Sequence, residues 1–132
     1  MNNTREEIPE QEWIRIIFTL HGSRTEYKDA VYHIMEDAAS IRKILYPLGF
    51  TDEDFGTINI SIEQDSVRVH GARRDWGYAY THRMRLEFKN DQERLNKLLY
   101  VLADCPLNPT FEVDYVASKN EKHGDRHHTA WR

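Results

Sequence analysis

The stretch GYAYTHRMRLEF, residues 77–88, decides the fold because it alternates large and polar side chains over almost its whole length. From Tyr78 to Phe88 the even positions are bulky, while most odd positions carry threonine, arginine or glutamate. A period of two residues is typical of a β-strand with one face toward the core. We therefore interpret this stretch as a central strand rather than an active-site segment, with Gly77 letting the preceding hairpin turn into it.

Outward from this strand, the same test of periodicity predicts three more strands and two helices. Leu95, Leu98 and Leu102 recur at three- and four-residue steps, as in the buried stripe of a helix. The predicted strands lie near residues 12–21, 57–70, 76–88 and 110–117, and the predicted helices near 25–46 and 91–103. The order β-α-β-β-α-β predicts an α+β, ferredoxin-like fold, a four-stranded antiparallel sheet with two helices on one face.

The chain has the length and composition of one domain. Its 132 residues are 39% hydrophobic and 30% charged, which is ordinary for a soluble globular protein. We assign residues 1–11 to an N-terminal extension, 12–118 to an α/β domain and 119–132 to a flexible, histidine-rich tail.

Charge, hydropathy and motif content exclude several functional classes. The net charge of −4 gives no general attraction to nucleic acid or anionic lipid, so no nucleic-acid partner is expected. The chain has neither a leader-like segment nor an apolar run of membrane-spanning length, which predicts a cytoplasmic protein without a membrane span. Cys105 is the single cysteine, and no phosphate-binding glycine loop or nucleophile elbow is present. We expect no cofactor and no catalytic residues.

The sheet face opposite the helices offers a candidate anion site. His21, Arg83 and Arg85 fall on this face of neighbouring strands, where two guanidinium groups and an imidazole would suit a phosphate or carboxylate. The alternative is that the arginines pair across strands with acidic neighbours of the same face. The candidate acids are Glu63, Glu87 and Asp114.

A second candidate surface is the hairpin segment GARRDWG, residues 71–77. Arg73 and Arg74 stand beside Trp76, and basic plus aromatic side chains can hold a nucleotide or a single strand. The alternative is that an exposed tryptophan in a long hairpin contacts a protein or packs back on the sheet.

The histidines divide into a core position and a terminal cluster. His82 falls on the bulky side of its strand, which favours a core histidine bonded to a backbone carbonyl over a general base. In the tail, His123, Asp125, His127 and His128 form a candidate metal site, because His123 and His127 would share one side of a helix turn. The alternative is a flexible, opportunistic metal binder.

Three longer segments together resemble the SIMPL-domain family. They are IPEQEWIRIIFTLHGSRTEYKDAV (8–31), IRKILYPLGFTDEDFGTINISIEQ (41–64) and GYAYTHRMRLEFKNDQERLNKLLYVLAD (77–104), whose order and spacing follow the family pattern. The chain departs from that pattern in lacking the usual first Gly-containing strand and the final Ala- and Lys-rich helix, as in a trimmed member. The resemblance implies no catalytic residues and a loosely defined binding, assembly or stress-related role. It also implies export to the bacterial envelope or periplasm if a leader has been removed.

These observations predict a non-enzymatic binding or assembly module, with a protein partner or a homo-oligomer. We expect self-association through the sheet face opposite the helices, where Trp13 and Ile17 point outward without an evident intramolecular partner. The alternative is that a terminal segment folds back over this face. A different functional class is a ferredoxin-like enzyme or anion binder that acts on a phosphate or acyl phosphate through an arginine, with Arg24 in the HGSRT turn as the candidate. An RNA binder of this fold would need two exposed aromatic residues on the sheet face, which this sequence lacks.

Overall fold

The computed structural model of the chain describes residues 11–70, 73–119 and 127–131, with the backbone alone for 69, 70, 73 and 127–131. The strands are β1 Trp13–Arg24, β2 Phe55–His70, β3 Arg73–Lys89, β4 Thr110–Val116 and β5 His127–Trp131, and the helices are α1 Tyr27–Leu45 and α2 Gln92–Ala103. The α+β class, the four predicted antiparallel strands and the two helices are confirmed.

The strands form one sheet in the order β2-β3-β1-β4-β5, and every neighbouring pair is antiparallel. β1 lies in the middle, between β3 and β4. β5 is an addition that the sequence pattern did not reveal. It pairs with β4 along residues that were assigned to the flexible tail, so this part of the tail is a strand of the sheet.

The main hydrophobic core lies between one face of the sheet and the two helices. Even-numbered residues of β1, from Ile14 to Leu20, share this face with Met84 and Leu86 of β3, as the alternation predicts. Both helices contribute their apolar stripes to the same cluster: Ile41 and Leu45 from α1, and Leu95, Leu98 and Leu102 from α2. At the start of α2, the Asp91 side chain accepts a hydrogen bond from the Arg94 backbone N–H at 3.1 Å, which satisfies one of the free amides of the first turn.

The β2–β3 hairpin is longer than the rest of the sheet. β3 pairs with β1 only as far as Tyr78, whereas its pairing with β2 continues to His70 and Arg73. The two-stranded extension, residues 65–70 and 73–77, is called the hairpin arm below. Gly77 anchors the arm, because a Cβ at this position would lie 2.6 Å from the Arg24 carbonyl oxygen and could not be accommodated.

Candidate binding surfaces

The sheet face opposite the main core divides into two halves along β1. Around Arg15 and Ile17 the face is buried, and we call this set the closed half: Arg15, Ile17, Glu87, Asp114 and Val116. Around Thr19 and His21 the face is polar and at least partly accessible, and we call this set the open half: Thr19, His21, Asn59, Ser61, Thr81 and Arg83. The face predicted to be bare is therefore bare along only part of β1.

A buried ion pair occupies the closed half. The Arg15 Nε donates to Glu87 Oε2 at 2.8 Å, and the two side chains are only 4% and 2% exposed. The Arg85 Nε lies 3.6 Å from the other carboxylate oxygen of Glu87. Asp114 stands opposite Arg15 on β4, so acidic residues flank this arginine on both neighbouring strands. Burial on this scale leaves the pair no surface to offer a ligand, and its role is structural.

The expectation that Ile17 and Trp13 are exposed without intramolecular partners is wrong. Ile17 is only 1% exposed within a single chain, so it presents no apolar patch to a second copy. The Trp13 ring is partly buried, and the Lys89 and Lys119 ammonium groups lie 5.0 and 5.7 Å from its centre. Cations over an aromatic face at this range are attracted by the ring quadrupole. The argument for self-association through this face therefore fails.

The structure places two members of the predicted anion trio on adjacent rows of the open half and the third beside an acidic residue. His21 is exposed, and its Nδ1 lies 3.4 Å from the Thr81 hydroxyl. Arg83 lies one row away, opposite Thr19, and makes no ion pair with a residue of the described ranges. Arg85 follows the alternative, because its guanidinium lies over Gly56 and beside Glu87.

The hairpin arm carries the most exposed tryptophan of the described part of the chain. Trp76 is 67% exposed, next to Tyr78 on the same side of β3. The Tyr78 ring meets the exposed Tyr27 of α1 edge-to-face at 5.6 Å between centroids. We call Tyr27, Trp76 and Tyr78 the aromatic surface. This exposure argues against the predicted alternative in which Trp76 packs back on the sheet.

Arginines border the aromatic surface on the arm. Arg74 pairs with Arg68 across the hairpin, and both are exposed. The Arg74 guanidinium donates from Nε to the Ser66 hydroxyl at 3.2 Å and from its terminal nitrogen to the Ser66 carbonyl, which holds it along the ribbon. Arg73 belongs to β3 by its backbone, and its side chain lies outside the described residues.

His82 is a core residue, as predicted, but without the predicted bond to a carbonyl. It is buried beneath α1, and neither ring nitrogen has a hydrogen-bond partner among the residues that the structure describes. Burial lowers the pKa of His82, the nearby Arg42 cation lowers it further, and Asp37 opposes both. A neutral imidazole enclosed in this way has no route to a substrate, so the general-base reading has no support in the geometry.

The candidate metal cluster falls mostly outside the described residues. His123 and Asp125 lie in the undescribed segment, and only the backbone of His127 and His128 is given. Those two residues begin β5, a strand rather than the helix turn on which the spacing argument relied. Within the described ranges there is no group of three potential metal ligands.

One cleft escaped the sequence analysis. It has a volume of about 220 Å³ and is lined by Pro47, Leu48, Asp91, Glu93, Arg94 and Lys97. The Arg94 guanidinium donates from Nε to the Leu48 carbonyl at 3.1 Å and stacks over the Phe50 ring at 3.9 Å. The Arg94 guanidinium is therefore already engaged by the Leu48 carbonyl and the Phe50 ring. The cleft lining contains both acidic and basic side chains. No sequence signal links Arg94 to the turn it contacts, since 46 positions separate it from Leu48.

No family model matches the chain, and no curated protein matches it. Among the described residues, neither helix is both long and apolar enough to cross a bilayer. A function for this chain is therefore inferred from the surfaces described above.

Proposed function

We propose that this chain is a non-enzymatic binding or assembly module of SIMPL type, with a ferredoxin-like arrangement and a stress- or envelope-related role. The strand order β2-β3-β1-β4 supports the arrangement, because each β-α-β half has one strand of the other half between its own two strands. The three segments that resemble the family support the type. Enclosure of His82 and of the Arg15–Glu87 pair supports the absence of a catalytic centre at these groups.

The exposure of Trp76 on the projecting arm is the observation that carries the proposal. A solvated indole of this size is a large apolar group, and burying it against a partner would release ordered water. Tryptophan, tyrosine and arginine are the side chains most enriched at the energetic centre of protein interfaces. The aromatic surface and the bordering arginines combine all three types, so we propose a protein partner that covers Trp76.

Site-specific photo-crosslinking in cells that express the chain tests this proposal. A photoreactive phenylalanine analogue at Trp76 should capture one dominant partner, because the side chain would lie inside the interface. The same analogue at Lys97, an exposed position of α2, is the matched control and should capture little. A variant with Arg74→Ala and the analogue at position 76 should crosslink less, because an arginine beside the aromatic surface is lost.

Two results would contradict the proposal. One is an equal pattern of products from positions 76 and 97, which would mean random collision. The other is an absence of products at position 76 when the variant is folded and expressed normally.

A second candidate function, anion binding, rests on the open half of the sheet face. His21 and Arg83 occupy adjacent rows there with no acidic partner among the described residues, and threonine hydroxyls surround them. Arg24, the other arginine considered, donates to the Ser23 carbonyl at 2.6 Å at the end of β1 and is less suited to a ligand. Titration with inorganic phosphate or acetyl phosphate should shift the NMR signals of Thr81 and Arg83 and leave those of Arg15 unchanged. An Arg83→Gln variant should abolish the shifts, and if it does not, the anion site is rejected.

A further inference from the structure

The two edges of the sheet differ in how they are covered. β4 is paired with β5, whereas β2 pairs with β3 alone among the strands that the structure describes. Unpaired backbone groups along an edge strand are a template for a further strand, and natural proteins usually blunt such edges with charges or bulges. β2 has a bulge-like irregularity between Thr57 and Asn59, and it carries charges at Glu63 and Asp65. Between them, the stretch from Asn59 to Ile62 has neither a bulge nor a charged side chain.

Apolar side chains accompany this open edge. Ile60 is 50% exposed although it lies opposite the buried His82, on the helix side of the sheet. The cause is that α1 packs mainly over β1 and β3 and meets β2 on either side of Ile60, near Phe55 and Ile62. Ile58, two residues earlier on β2, is 37% exposed and adds a second uncovered apolar side chain to this strip. An open edge and an apolar strip at one place indicate an interface.

We propose that the occupant is a second copy of this chain, with the two β2 strands paired antiparallel about a twofold axis at Ile60. The sequence of the edge is self-complementary in this register. Ile58 would stand opposite Ile62 and Asn59 opposite Ser61, so that apolar residues meet apolar and polar residues meet polar. Glu63 would reach the level of the irregularity near Thr57 of the other copy, which keeps the acidic side chains of the two copies apart.

Charge complementarity at the two ends of the pair supports the same register. The turn before β2, Asp52–Asp54, carries three acidic residues. Arg68 is exposed at the opposite end of β2, on the hairpin arm. In an antiparallel pair centred on Ile60, the acidic turn of one copy reaches the level of Arg68 of the other, within about one residue because of the bulge. An isologous contact makes this match twice.

This interface is carried by the β2 edge and does not depend on the aromatic surface. Trp76 belongs to β3, the other strand of the arm, so a partner on Trp76 and a second copy on β2 address different sides of the ribbon. The two proposals therefore fail separately: loss of the dimer leaves crosslinking at position 76 to be judged by its own control.

Light scattering at micromolar concentrations of the full chain is the first test. The expected result is a mass of twice that of the chain. Ile60→Lys should shift the mass to that of the monomer, because it puts two cations together at the axis. Tyr100→Lys, which replaces an exposed aromatic residue on α2, is the matched control and should remain a dimer. Circular dichroism of each variant verifies that the fold is intact.

A charge exchange tests the register without touching the apolar strip. Arg68→Glu and Glu53→Arg should each weaken association, and the double variant should restore it. Within one chain these positions are separated by the strand from Phe55 to Arg68, roughly 43 Å at the usual rise, so restoration can only arise between copies.

Cross-linking at the axis keeps the proposal falsifiable if Ile60→Lys fails to fold. Directly opposite residues of an antiparallel pair have Cα atoms about 4.5–5.5 Å apart, within the range that a disulfide spans. Ile60→Cys should therefore form a covalent dimer under mild oxidation, and Tyr100→Cys should not. A wild-type chain that is monomeric at micromolar concentrations overturns the proposal and leaves the edge to a strand of another protein. A dimer that survives Ile60→Lys with normal circular dichroism overturns it as well.

Discussion

The closed and open halves of the same sheet face differ in what they do with charge. In the closed half, Arg15 and Glu87 are buried and bonded to each other. In the open half, Arg83 and His21 stand among hydroxyl groups without an acidic partner in the described part of the chain. The two halves are continuous along β1 and are separated by only a few residues. Polar residues on a strand therefore do not by themselves mark a binding face; what matters is whether their charges are already satisfied.

Breaking the buried ion pair should give the largest change in the free energy of unfolding. It would sharpen the contrast between the closed and open halves. Glu87→Leu leaves the Arg15 guanidinium buried without its closest acid, which should lower the free energy of unfolding by roughly 3–5 kcal/mol. Urea denaturation followed by circular dichroism measures this loss. Arg83→Leu in the open half is the matched control and should change the free energy by about 0.5 kcal/mol or less.

A double-mutant cycle then shows whether the loss belongs to the pair. Arg15→Met combined with Glu87→Leu should cost less than the sum of the two single changes, with a coupling of about 0.5–3 kcal/mol. Additive costs would mean that the 2.8 Å contact contributes nothing, and the contrast between the halves would lose its electrostatic basis.

Apolar burial in the closed half should give the next largest effect. Ile17→Ala removes side-chain volume from a site that is 1% exposed, and the expected loss is about 2–4 kcal/mol. Thr19→Ala, two residues further along the same side of β1, should cost less than about 1 kcal/mol because this position is partly exposed. Thermal melts of the two variants make the comparison. Equal costs would contradict a boundary between the halves at this point.

On the helix side of the sheet, His82 should have a smaller effect on stability, and this effect should depend on pH. Because burial lowers the pKa of His82 in the folded chain, the unfolded chain binds a proton more readily as the pH falls below about 6.5. Stability should be constant with respect to this group above that pH and should fall below it, by at most about 1.4 kcal/mol per pH unit.

His82→Leu isolates this contribution. Its free energy of unfolding, measured by urea denaturation across the acid range, should depend less steeply on pH than that of the wild type. Identical slopes for the two proteins would mean that His82 does not remain neutral in the fold.

Much of the fold could be predicted because its elements have clean periods. The alternation from Tyr78 to Phe88 identified β3, and leucine spacing identified α2, each within a few residues of the observed bounds. β5 could not be predicted in the same way. The polar segment HHTAW has no apolar alternation, and it pairs with a strand that already has its own core face.

The candidate surfaces were predictable only in part. The side of β1 that carries Trp13, Arg15, Ile17, Thr19 and His21 mixes apolar, charged and polar residues, so its period does not reveal where burial ends. Whether Arg85 binds a ligand or Glu87 depends on a contact within 4 Å on the same strand, which sequence spacing allows but cannot decide. The exposure of Trp76 was among the alternatives. The uncovered Ile60 was not, because it depends on how far α1 reaches across the sheet.

Thiol labelling along β1 tests the boundary between the closed and open halves most directly. Ile17→Cys and His21→Cys would be treated with a maleimide under native conditions, with the parent chain and its buried Cys105 as background. We predict that position 21 reacts at the rate of a free thiol. Position 17 should react at least about a hundredfold more slowly, because it requires local opening. Equal rates at the two positions would mean that the face is bare along all of β1, and the division into a structural half and a binding half would be wrong.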